Sequence, residues 1–73
     1  MKEQDLDKYL NKFVKITDID NMSYKGVFYK IVDGKFKING FEQFTCINKG
    51  YVLDRGYCYY SLRKSHIKKI EIV

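Results

Sequence analysis

The sequence predicts a mainly β fold: a short N-terminal helix followed by five or six strands of a bent antiparallel small barrel. Two observations carry that expectation. From residue 13 onward apolar side chains alternate with polar ones instead of recurring every three or four residues, which is the period of a half-buried strand. Turn chemistry interrupts the pattern at short intervals, at Asp20-Asn21, Asp33-Gly34, Asn48-Lys49-Gly50 and Asp54-Arg55-Gly56. Closing such a set of short strands hides the edges that would otherwise aggregate.

Each element follows from its residues. Leu6, Tyr9 and Leu10 recur at i, i+3 and i+4, and Asp5 and Asp7 sit where a helix N-terminus favours negative charge, so a helix is expected over about residues 4–11. Val14 and Ile16 alternate with Lys15 and Thr17 in a first strand over about 13–19. Ser23 to Val32 is a long β-branched and aromatic run, in which Gly26 marks a bend or bulge. Asp33-Gly34 is the strongest hairpin signal, and it leads into a strand from Phe36 that Gly40 bends or breaks. Phe41 to Ile47, Tyr51 to Leu53 and Tyr57 to Leu62 continue the β pattern. A polar corner, Arg63, Lys64, Ser65 and His66, then precedes a last strand containing Ile67, Ile70 and Ile72.

The 73 residues make one domain, 1–73, and its 45% hydrophobic and 16% aromatic content excludes a disordered chain. A chain this small buries only about 60% of its unfolded surface, which points to a homo-oligomer. No stretch approaches the roughly 20 apolar residues of a membrane span, and Met1 to Asp7 is too charged for a signal peptide. The expectation is a cytoplasmic protein with no membrane partner. Cys46 and Cys58 lack Cys-x-x-Cys spacing and read as small buried apolar groups. Fourteen Lys and Arg against nine Asp and Glu give +5, a balance that favours polyanions and also serves solubility. Pro, Ala and Trp are absent while Lys, Ile, Tyr and Phe abound. A+T-rich codons produce that bias, as in a low-G+C bacterium, its phages or other mobile elements.

Catalysis finds little chemistry here, and the chain is not expected to be an enzyme. His66 is the only histidine, no ligands stand at zinc-finger spacing, and the five glycines are scattered instead of forming a phosphate-cradling loop. No cofactor or metal is implied. Binding chemistry is richer, because single-stranded nucleic acid is held by a basic groove and by aromatic faces that stack bases. The densest interleaving runs from Tyr51 to Lys69 and includes Arg55, Tyr57, Tyr59, Tyr60, Arg63 and Lys64. Strand parity puts Tyr57 and Tyr59 on one face and Tyr60 on the other, so at least one face exposes tyrosine.

The segment Leu62-Arg63-Lys64-Ser65-His66-Ile67-Lys68-Lys69-Ile70 resembles the second motif of the Sm and Sm-like family: an apolar residue, Arg-Gly, two residues, then apolar residues three apart. Lys64 replaces the glycine, and bacterial Sm-like RNA chaperones carry a Lys at that place. Leu10, Val14, Ile16, Asp20-Asn21, Tyr24, Gly26 and Phe28 resemble the first motif. The family places an Asp four residues before a base-contacting Asn, whereas Asp33 and Asn39 are six apart here. The resemblance thus covers roughly the first 28 and the last 16 residues. It implies a ring in which the fourth strand of one subunit pairs with the fifth of the next, with RNA held near Asn39, Arg63, Lys64 and His66. In that reading Arg63 and Lys64 contact phosphate, Tyr57, Tyr59 and Tyr60 stack bases, and Asn39 and His66 bond base edges. The alternative is an SH3-like protein-interaction module, for instance a phage protein that binds a host protein, with tyrosines forming its patch.

Overall fold

The computed structural model describes residues 2–73. Helix α1 is Glu3–Asp7. The strands are β1 (Phe13–Asp18), β2 (Ser23–Ile31), β3 (Lys35–Ile38), β4 (Phe41–Phe44), β5 (Gly50–Asp54), β6 (Tyr59–Leu62) and β7 (Ile67–Ile72), with one 3-10 turn at Lys64–His66. Five of them form an antiparallel sheet in the order β6-β5-β2-β1-β7, and β3 and β4 form a separate hairpin. The described residues are mainly β with one short helix, as the alternation predicts, but they form seven strands instead of five or six.

The sheet does not close into a hydrogen-bonded barrel, because β6 and β7 do not pair with each other. It wraps instead. Leu62 of β6 and Ile67 and Ile70 of β7 meet in one core with Val14, Ile16, Phe28, Leu53 and Leu6 of α1. Apolar side chains from both edges and from the helix complete the burial, so a last row of backbone bonds is not required.

The helix is shorter than the predicted 4–11. Leu6 is buried and Tyr9 and Leu10 pack against the same core, so the apolar period is present in space. Beyond Asp7, however, the backbone bonds run from Tyr9 N–H to Leu6 O, from Leu10 N–H to Asp7 O and from Lys12 N–H to Tyr9 O. These are i to i+3 bonds of tight turns, and Asn11 at φ 64° ends them.

The Asn39-Gly40 turn makes the β3–β4 hairpin, whereas the hairpin expected at Asp33-Gly34 is reduced to one bridge between Val32 and Lys35, because β3 pairs with β4 and not with β2. Asp33 and Gly34 have φ of 52° and 74°, and Asn39 and Gly40 have 52° and 83°, so both central residues of each turn are left-handed. That geometry matches the twist of flanking antiparallel strands. Gly40 therefore breaks the third strand, and β4 stops at Phe44 instead of running to Ile47. Phe36 anchors the hairpin in a second core with Ile31 and Val52, with Tyr29, Ile38 and Ile47 around it.

Both cysteines are exposed, contrary to the burial expected of them. Cys46 lies past the last β3–β4 pair, Lys35 with Phe44, and Cys58 lies in the β5–β6 turn, where its carbonyl accepts the Arg55 N–H. Branched and aromatic side chains fill both cores without them. Among the described residues no helix is long and apolar enough to cross a membrane.

Candidate nucleic-acid interface

Four segments surround a cleft of about 720 Å³: α1, the end of β2, the β4–β5 connection and the corner after β6. Gly50 brings two of them together. A Cβ there would lie 2.6 Å from the Leu62 carbonyl oxygen, and its φ of 147° suits glycine, so the start of β5 presses against the end of β6. Lys49 is thereby set across from Arg63 and Lys64. The corner is built by one 3-10 turn, in which His66 N–H donates to Arg63 O, while His66 O accepts from Ile19 N–H in the β1–β2 turn. On the opposite rim, Gly34 N–H donates to Asn48 O and Thr45 N–H to Gly34 O, tying the β4–β5 connection to the base of the hairpin.

Lys30, Lys49, Arg63 and Lys64 line the cleft, against two acids, Glu3 and Asp33. The Lys30 amino group lies 2.6 Å from Glu3 Oε1 and 3.5 Å from Asp7 Oδ1. Its hydrogen bond and then its charge hold the Glu3 carboxyl below the usual carboxylate range, and Lys64 and Lys49 add to this. The Lys30 ammonium is correspondingly raised, first by the bond to Glu3. Lys30 is thus engaged, whereas Lys49, Arg63 and Lys64 enter no ion pair among the described residues. Three exposed cations converging on a concave surface favour an anionic ligand.

Tyr51 also lines the cleft. It pairs with Lys30 across β2 and β5, so the two side chains share a face, and its ring stacks on Phe28 at 4.8 Å and 11°. Only 2% of the residue is exposed, and its hydroxyl has no hydrogen-bond partner among the described residues. Burial and then the Glu3 charge push its ionisation upward, with Lys30 opposing, so the phenol sits within reach of the charges at the cleft wall. It stays a neutral donor at ordinary pH.

The seven residues expected to bind are not gathered in one place. Arg63 and Lys64 line the cleft, and Asn39, Tyr57, Tyr59, Tyr60 and His66 do not. Asn39 occupies the tip of the β3–β4 hairpin. His66 is exposed at the end of the corner turn. Tyr59 and Tyr60 divide as parity predicts, with Tyr59 edge-on to Phe36 at 5.6 Å on the hairpin side and Tyr60 on Tyr24 at 4.5 Å against the main core, but Tyr57 precedes β6 in the turn and does not share the face of Tyr59. Tyr57 is 76% exposed, with the Arg55 guanidinium 5.0 Å from its ring centroid and equally near Tyr24. Sequence reasoning missed Lys30 and Lys49 as cleft residues and had Tyr51 only as the start of the aromatic and basic segment. Only the pairing register shows that Lys30 and Tyr51 are neighbours, and the Asn48-Lys49-Gly50 turn was the one local signal for Lys49.

Comparison with known proteins finds no matching family model, no similar curated protein and no similar solved structure.

Proposed function

We propose that this protein is a non-enzymatic binder of single-stranded RNA and that the cleft beside the Arg63–Lys64 corner is its site. The observation that carries the reading is the convergence of Lys49, Arg63 and Lys64 on a cleft whose wall holds the buried, unpartnered Tyr51 hydroxyl. The cations take phosphates, and the phenol donates to a phosphate or base-edge acceptor. Exposed Tyr57 and Tyr59 offer further stacking faces away from the cleft. The test is R63A/K64A, with binding of a labelled U-rich or A-rich oligoribonucleotide followed at several salt concentrations. Two lost phosphate contacts lower the slope of log affinity against log salt by about 1.4. Unchanged affinity and slope would refute the assignment.

The same reading makes the protein an Sm-like ring. With the β3–β4 hairpin set aside, β6 and β7 are the fourth and fifth strands, and they are the two open edges of the main sheet. Those are the strands that the Sm-like resemblance pairs between neighbours. Exposed edges of this kind invite pairing with another copy. Light scattering at micromolar concentration checks it: a particle of roughly six or seven 8.7 kDa chains supports the ring, and a monomer or dimer counts against it.

Exposed Phe41 and Phe44, at 71% and 74%, favour a second reading, an SH3-like module that docks a protein. Salt separates the two, since aromatic docking responds weakly to ionic strength and phosphate binding responds steeply.

A further inference from the structure

We infer that the outer face of the β3–β4 hairpin is a second, stacking contact for single-stranded RNA, continuous with the cleft and centred on Lys35, Lys37 and Phe44. The inference rests on the reading of the cleft as an RNA site.

Register defines this face. Lys35 pairs with Phe44 and Lys37 with Glu42, so these four side chains point one way, and Phe36, Ile38, Phe41 and Gln43 point the other. Phe36 is the buried anchor on the inner face, where Phe41 at the hairpin tip is nevertheless 71% exposed. The outer face has no such anchor, yet it carries a phenylalanine that is 74% exposed. A second, smaller hollow lies between the end of β2 and the hairpin, lined by Lys30, Val32, Lys35, Phe36, Lys37 and Glu42. Lys30 and Val32 also line the cleft, so the two depressions share a wall. A basic path therefore leads from Arg63 and Lys64 past Lys30 to Lys35 and Lys37, where Phe44 stands beside the last cations.

Charge selects the occupant. Of the titratable groups on the outer face two are cations and one is an acid, and Glu42 makes no ion pair with Lys37 among the described residues. A strand entering from the cleft brings one phosphate per nucleotide, matching the spaced lysines. Its unpaired bases present the π-faces that an isolated exposed ring can stack, whereas duplex bases are already stacked on one another.

The chain contains no Trp, so F44W places a single reporter at the proposed contact. Oligoribonucleotides of about four and about twelve residues separate the cleft from the longer path. The expected result is quenching of F44W emission by the longer oligonucleotide and not by the shorter one. F44A weakens the longer one roughly 5- to 150-fold, the equivalent of one lost base stack, and leaves the shorter one unchanged. K35A/K37A reduces the salt slope for the longer one alone. Phe44, Lys35 and Lys37 are all exposed, so the variants retain the fold, and circular dichroism verifies this. Emission from F44W that RNA leaves unchanged, with affinity intact in F44A and K35A/K37A, overturns the inference. That failure differs from failure of the cleft, which shows as full binding by R63A/K64A.

Discussion

Replacing Tyr51 with Phe separates what the hydroxyl does for folding from what it does for binding. The ring stacks on Phe28 and is almost wholly buried, and Phe preserves both properties. What disappears is one hydroxyl that has lost water and found no protein partner. An unsatisfied buried polar group costs about 1–3 kcal/mol. The lower end applies here because the adjoining cleft opens to solvent, so Y51F should stabilise the isolated protein by about 1 kcal/mol. For a domain of this size that raises Tm by roughly 4–8 °C, measurable by circular dichroism melting. In the RNA complex the same phenol supplies a hydrogen bond of about 0.5–1.5 kcal/mol, so Y51F should bind an oligoribonucleotide roughly 2- to 12-fold more weakly. Higher stability with lower affinity is the signature of a binding group kept at the expense of the fold. A lower Tm would show that the hydroxyl is already satisfied in the free protein. A raised Tm with unchanged affinity would remove Tyr51 from the site.

Three further outcomes test the fold. A Cβ at Gly26 would overlap the Asp54 carbonyl oxygen and lie 2.8 Å from its carbon, so G26A should cost at least about 3 kcal/mol in urea unfolding, a large share of the roughly 4–11 kcal/mol such a domain has. Asp18 is buried, and its Oδ1 accepts the Asp20 N–H at 2.9 Å and the Met22 N–H at 3.0 Å. D18A should therefore lose about 2 kcal/mol, with D18N, which retains an oxygen, losing less. Tyr29, Tyr51 and Tyr60 are all pushed above the ordinary value of 10.0, chiefly by burial. A raised folded value means that the unfolded chain ionises first, so their stability contribution is complete below about pH 10 and is lost as pH rises through the folded values. Melting temperature should fall above that pH, and the fall should be shallower in Y51F.

Much of the fold was legible because it rests on local signals. Alternation located the strands, and Asp33-Gly34 marked its turn because two consecutive left-handed residues demand that chemistry. The extra strand comes from Asn39-Gly40. Gly40 alone signals a bend or a break, and because Asn also tolerates the left-handed region the pair forms a full turn that divides one expected strand in two. The apolar stripe predicts a longer helix than Glu3–Asp7 because tight i to i+3 turns present the same Leu6, Tyr9 and Leu10 side chains to the core.

The site was legible only in part, for a physical reason. Arg63 and Lys64 lie consecutively in a polar corner and announce themselves, but a cleft is made by segments distant in sequence. Lys30 meets Glu3 across 27 positions, and Tyr51 meets Lys30 across 21, through register and helix docking that residue pattern does not encode. The cysteines failed for a related reason, since average burial of a residue type says nothing about a turn that competes poorly with Ile, Leu and Phe for the core.

The most direct measurement is a fluorescence-anisotropy titration of a labelled single-stranded oligoribonucleotide with the wild-type protein and with R63A/K64A, each at low and moderate salt. The account predicts wild-type binding that weakens steeply with salt, and binding by the variant that is about tenfold or more weaker with a shallower salt dependence. Wild-type protein that ignores the oligonucleotide, or a variant that binds it equally well with the same salt dependence, would contradict the assignment of this cleft to RNA.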